Sequence, residues 1–192
     1  MARQIIPNSG LWSSIAAIIN ANDAELYNEV KVGVYDYNDL ATTTTPISIA
    51  VAGTYYPLTN DTLGANTNIT YALPAVPSLW DTGTQAFDFT DLALGDTVDI
   101  RLDITVTSSA NNQDFTVTLF LADGVGGQYE LPLISERNFK VAGTRQLVEF
   151  TGIYMGDTLT LNNPARFKIK SSNTGSVRVN GWYLRAIKRV LA

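Results

Sequence analysis

Between Thr97 and Thr107 apolar and polar residues alternate without interruption. Val98, Ile100, Leu102, Ile104 and Val106 share one parity, and Asp99, Arg101, Asp103, Thr105 and Thr107 share the other. A period of two is that of a strand with one face in a core and one outside it. The signal recurs downstream, with Phe115, Val117, Leu119 and Leu121 on one face and then "QYELPLIS", "TRQLVEFTGIYMG" and "TLTLNNPARFKIKSS". "SSANNQDF" and Gly156-Asp157 carry the turn residues of hairpins that would join these strands in pairs. Upstream, "PISIAVAGTYYPLTND" reads as a strand, a turn near Gly53 and a second strand, and "TNITYAL" and "QAFDFTDL" as short strands. "ALPAVPSLW", with two prolines, is a loop that places Trp80. The last strand changes phase, since Val177 and Val179 are odd while Trp182, Leu184 and Ala186 are even, which predicts a bulge at Asn180-Gly181.

The N-terminal pattern differs. Leu11, Ile15, Ile18 and Ile19 recur at the spacing of an amphipathic helix running to about Ala21, with Asn8 or Ser9 placed to cap it. Leu26, Tyr27 and Val30 continue an apolar face, and "YDYNDLATTTTPIS" has the composition of an extended connector. The expected organisation is a helical attachment segment and linker over 1–40, then a β-domain over 41–192. About eight to ten short strands with no βαβ rhythm point to an all-β fold, an antiparallel jelly-roll sandwich preceded by a short α-helical segment.

Composition removes most enzyme classes. The 192 residues are 45% apolar and 16% charged, enough for one domain with a true core. No segment approaches the roughly 18 unbroken apolar residues of a membrane helix, and the start shows no secretion signal. There is no histidine and no cysteine. Ser-His-Asp and Cys-His sites, zinc sites of the usual N/S type and disulfides are thereby excluded, and neither a metal nor another cofactor is expected. Carboxylate chemistry survives, and Asp99 and Asp103, on one strand face, are the candidate pair for an inverting glycosidase. Arg101 between them spoils it, because a cation there holds both acids ionised when one must carry a proton. The expectation is no enzyme.

Charge is unevenly placed within the net −5. Up to Glu136, Arg3, Lys31 and Arg101 stand against 16 acids; beyond it, ten bases stand against Glu149 and Asp157. The late bases sit singly between apolar residues, as strand faces do, so a nucleic-acid partner is not expected. Acidic and basic strands are instead expected to be neighbours, within one chain or between copies, with Asp99, Arg101 and Asp103 as an inter-chain charge row. Tyr55, Tyr56, Trp80, Trp182 and Tyr183 suit either a core or a sugar-stacking platform. "ADGVGG" and "NDTLGAN" lack the spaced oxygen ligands of a calcium loop and read as turns.

Two stretches resemble known proteins. "GLWSSIAAIINANDAELY" is similar to the short N-terminal helix that opens many small tailed-bacteriophage virion proteins. "FDFTDLALGDTVDIRLDITVTSSANNQDFTVTLFLADG" and the closing "VRVNGWYLRAIKR" resemble the jelly-roll domains of phage head fibres, decoration proteins and tail-fibre heads. The resemblance implies a homotrimer of the TNF-like or C1q-like kind on the virion surface, made in the host cytoplasm, and it carries over no catalytic residues. It implies attachment to capsid or neck, or trimer contact, through the N-terminal stripe of Leu11, Trp12, Ile15, Ile18 and Ile19. The other reading it supports is a receptor-binding module for host-surface glycan, with Tyr55, Tyr56 and Trp80 as contacts.

Overall fold

The computed structural model describes residues 31–189. The N-terminal stripe from Leu11 to Ile19, the helix expected there and its contacts lie outside the described residues.

Eleven strands and two short helices follow in chain order: β1 Lys31–Asn38, α1 Ala41–Thr44, β2 Ile47–Ile49, β3 Tyr56–Pro57, β4 Trp80–Asp81, β5 Ala86–Phe87, β6 Thr97–Ser108, β7 Gln113–Leu121, β8 Tyr129–Phe139, β9 Gly143–Tyr154, α2 Thr158–Asn162, β10 Arg166–Ser171 and β11 Gly175–Lys188. One sheet has the order β1-β11-β6-β9, with β2 beside the first residues of β11; the other has the order β3-β10-β7-β8. All pairings are antiparallel. From β6 on, the chain changes sheet at every step except β7 to β8, and this order is that of a jelly roll. The fold is therefore an antiparallel jelly-roll sandwich.

The core lies between the sheets. Val98, Ile100, Leu102, Ile104 and Val106 of β6 face Phe115, Val117 and Leu119 of β7, all fully buried. At one end Trp80, Phe87, Phe167 and Trp182 stack edge to face, with the two indoles 4.5 Å apart between ring centroids. The register of β11 on β6 slips between Val179 and Gly181, which reconciles the odd and even halves of the strand. Gly181 is required there, because a Cβ would lie 2.5 Å from the Tyr37 carbonyl oxygen.

Five expectations are corrected. Residues 31–38, assigned to the linker by a boundary at 41, are part of the sandwich, since β1 pairs along its whole length with β11 and buries Tyr35 and Tyr37. The threonine run is a helical turn, held because Asp39 Oδ2 accepts from the Thr42 N–H at 2.7 Å and Thr42 Oγ1 bridges to Val179. "SSANNQDF" and Gly156-Asp157 are not hairpins within a sheet, because each joins strands of opposite sheets. The stretch "TNITYAL" likewise forms isolated bridges, Asn68 to Asp36 and Leu73 to Val76, in place of a strand, and "TLTLN" is the helix α2, whose N-cap Asp157 accepts from the Thr160 N–H.

Candidate functional site

β11, β6 and β9 turn one residue in two away from the core, and their register aligns these in rows. Arg185, Asp99 and Gly152 lie side by side, as do Tyr183, Arg101 and Phe150. The residues sequence reasoning singled out, Asp99, Arg101 and Asp103, are thus brought together on the outer face of the β1-β11-β6-β9 sheet.

Their hydrogen-bond partners lie within the chain. Asp99 Oδ2 accepts from Arg185 Nε at 3.0 Å, and Asp103 accepts from Gln146 Nε2 at 2.8 Å and from Asn180 Nδ2 at 2.6 Å. Both carboxylates are satisfied within the chain. Arg101 lies with its guanidinium carbon 5.6 Å from the Tyr183 ring centroid, and its Nε is buried with no acceptor. Packing between aromatic neighbours, not an ion pair, holds it in place. The same pairing of late bases with early acids occurs on the other sheet, where Asp123 takes Arg166 at 3.1 Å and Lys168 at 2.6 Å.

On β9 the outward positions are Val148, Phe150, Gly152 and Tyr154. Phe150 is 73% exposed, the most of any large apolar residue among those described, and Tyr154 is 62% and Val148 43% exposed. Between these side chains and β11 runs an open groove of about 520 Å³, lined by Asp99, Arg101, Phe150, Gly152, Tyr183 and Arg185. A contiguous row of exposed aromatic and aliphatic side chains is the kind of surface that marks interaction sites. Sequence reasoning missed it because β9 has apolar residues on both parities. Leu147 and Ile153 point inward and are buried, while Glu149 between them reaches the open side of the sandwich and pairs with Arg137 at 3.1 Å.

The aromatic platform is not assembled. Trp80 and Trp182 are 5% and 1% exposed and belong to the core; the Trp80 Nε1 donates to the Asn60 carbonyl at 3.0 Å. Trp80 is therefore withdrawn as a glycan contact, because its ring is covered by Phe87 and Trp182. Tyr55 and Tyr56 are half-buried on the far side of the sandwich. Tyr55 meets Phe120 edge to face at 5.0 Å and lies under Lys170, and the Tyr56 hydroxyl accepts from the Val51 N–H. Of the five aromatics, Tyr183 alone lines the groove.

Among the described residues no group of three or more Asp or Glu is placed to hold a metal ion, and no helix is long and apolar enough to cross a membrane.

No family model and no curated protein matches the chain. Solved structures similar to it include the CBM22-1 xylan-binding domain from Paenibacillus barcinonensis Xyn10C, with 12% identity over 55% of this chain and 65% of that one, at a TM-score of 0.36. The structure of infectious bursal disease virus Gx strain matches with 10% identity over 85% of this chain and 37% of that one, at 0.37. Eiger TNF from S. frugiperda matches with 12% identity over 85% and 94%, at 0.36. This chain spans under two thirds of the xylan-binding domain and under two fifths of the bursal virus chain. The strand order, not these likenesses, establishes the jelly roll.

Proposed function

We propose that this chain is a self-assembling structural subunit of a bacteriophage virion, a homotrimeric head fibre or decoration protein, and that the outer face of the β1-β11-β6-β9 sheet is its assembly surface. The observation that supports self-association is the exposed row of Val148, Phe150 and Tyr154. Each large apolar side chain taken out of water contributes roughly 1.5–3 kcal/mol, and a symmetric assembly repeats that gain at every interface. The virion assignment is supported by the resemblance of the opening segment and the body to phage virion proteins. Residues 1–30, with the stripe Leu11, Trp12, Ile15, Ile18 and Ile19, are the segment proposed to attach to capsid or neck.

Sedimentation equilibrium of the full chain tests the assembly. The expected result is a concentration-dependent trimer that shifts to monomer in Phe150→Ser with Tyr154→Ser; a wild-type protein that stays monomeric at high concentration overturns it. Gold labelling of intact particles tests the location, with label on head or neck expected and label absent from particles excluding the virion reading.

A further inference from the structure

The two sheets of a sandwich end in edge strands, and native folds blunt such edges because their unpaired N–H and C=O groups are a template for pairing with another chain. Three edges are blunted here. The β1 edge is covered by the segment around Asn68, which exchanges backbone bonds of 2.8 and 2.9 Å with Asp36, while the Val34 N–H donates to the Tyr71 carbonyl at 3.0 Å; β2, on the same rim, is three residues long. β3 is two residues long and ends in Pro57. β8 carries Pro132, slips register twice against β7 and holds Glu136 at a φ of 53°. β9 has none of these devices. Its 12 residues include no proline, its register on β6 is unbroken from Gly143 to Tyr154, and among the described residues no strand pairs with its far edge.

We infer that the β9 edge pairs antiparallel with the β9 edge of a second copy of this chain, about a two-fold axis at Leu147, so that two sheets become one. The charges on the strand select that occupant. Arg145 and Glu149 share the parity of the buried Leu147, and an inward charge on an edge strand ordinarily forbids pairing, because it is covered without a partner. A base and an acid four residues apart escape this in one register: with Leu147 opposite its own copy, each Arg145 faces the other chain's Glu149. With the axis at Arg145 or at Glu149, like charges meet instead, so the pair fixes register more than it adds affinity. Both groups have capacity for the contact. Among the described residues Arg145 has no carboxylate partner and rests over the Phe139 ring, 4.7 Å from its centroid, and Arg137 engages only Oε1 of Glu149. The inference goes beyond the assembly proposed above, which uses the outer face of the sheet; a two-fold contact at the rim pairs one such assembly with another.

Charge exchange in the full chain tests this by sedimentation, with wild type, Arg145→Glu, Glu149→Lys and an equimolar mixture of the two variants. Wild type is expected to double in mass as concentration rises, from a trimer to a pair of trimers, and its β9 amides to gain protection from hydrogen exchange over the same range. Each variant alone sets like charges opposite across the axis and is expected to double at least about tenfold more weakly. The mixture is expected to regain doubling, because each variant then meets the complementary charge of the other. Thermal unfolding checks that both variants stay folded; if loss of the Arg137 pair unfolds Glu149→Lys, Arg145→Glu and the exchange measurement decide. Undiminished doubling by folded Arg145→Glu, or a mixture of folded variants that regains nothing, overturns the edge contact. A trimer that never doubles also overturns it and leaves the proposed trimer standing. A monomer that pairs to a dimer, and loses this in Arg145→Glu, upholds the edge contact and overturns the trimer. β9 amides that become protected only on incorporation into particles assign the edge to a strand of another protein and overturn self-pairing.

Discussion

Arg185 donates from both Nε and Nη2 to one carboxylate oxygen of Asp99, across a register that sets the two residues opposite each other on β11 and β6. The pair joins the basic end of the chain to its acidic body, yet about half of each side chain is exposed, where an ion pair contributes roughly 0–1 kcal/mol. Arg185→Ala is therefore expected to change the unfolding free energy by under about 1 kcal/mol in urea titrations. Its larger effect is expected on self-association, since Arg185 forms a wall of the groove.

Truncation separates the attachment segment from the fold. Removal of residues 1–30 leaves β1 whole, and the shortened chain is expected to fold, to self-associate and to fail to incorporate into particles. Removal of residues 1–40 takes away β1 with the buried Tyr35 and Tyr37 and exposes the edge of β11; that chain is expected to be insoluble or unfolded by circular dichroism. A folded 41–192 fragment would show β1 to be dispensable.

The two core indoles differ in a way that substitution reads out. Trp80 Nε1 donates to the Asn60 carbonyl, whereas Trp182 Nε1 is buried with no partner. Both Trp→Phe changes leave a cavity, but Trp80→Phe also strands a carbonyl in the fully buried Asn60, which costs about 1–3 kcal/mol more. Chemical denaturation should rank Trp80→Phe as the less stable of the two.

Stability at the extremes of pH follows from a few side chains. Burial raises the Tyr35 and Tyr37 hydroxyls above their ordinary value of 10.0, more than the N–H of Leu73 and the hydroxyl of Ser78, respectively, can offset. A raised value means a contribution that is full below pH 10 and lost as pH rises through the folded value, so the fold weakens at strongly alkaline pH. Absorbance titration at the phenolate band should show these two of the nine tyrosines ionising late, together with unfolding. At the acid end Asp81 and Asp157 lie below 3.8, the first chiefly through the Thr84 hydroxyl and the second through the Thr160 N–H. Their contribution is present above that value and is lost as pH falls through the lower, folded one.

The sequence by itself determined the long strands β6, β7, β8, β9, β10 and β11, the bulge of β11 at Asn180-Gly181, and that neither histidine nor cysteine chemistry exists in this chain. These are local properties: alternation records which side of a strand is buried, and a phase change records a slipped register. It also placed Asp99, Arg101 and Asp103 on one outward face. Only the tertiary structure decided what lies beside what. Alternation in β6 and β7 is the same whether they pair with each other or sit in opposite sheets, because burial of one face does not name the neighbour. In β1 the apolar residues Val32, Val34, Tyr35 and Tyr37 occupy both parities, so the strand was hidden in what read as the connector, and the helical turn at Ala41–Thr44 depends on Asp39 and Val179, the latter distant in sequence. Trp80 reads equally as platform or core until Phe87 and Trp182 close over it. The groove was the least legible feature, since it is made by a missing side chain, Gly152, and by a ring, Phe150, on a strand with apolar residues on both faces; which of those faces meets water is set by the second sheet, and no local pattern encodes that.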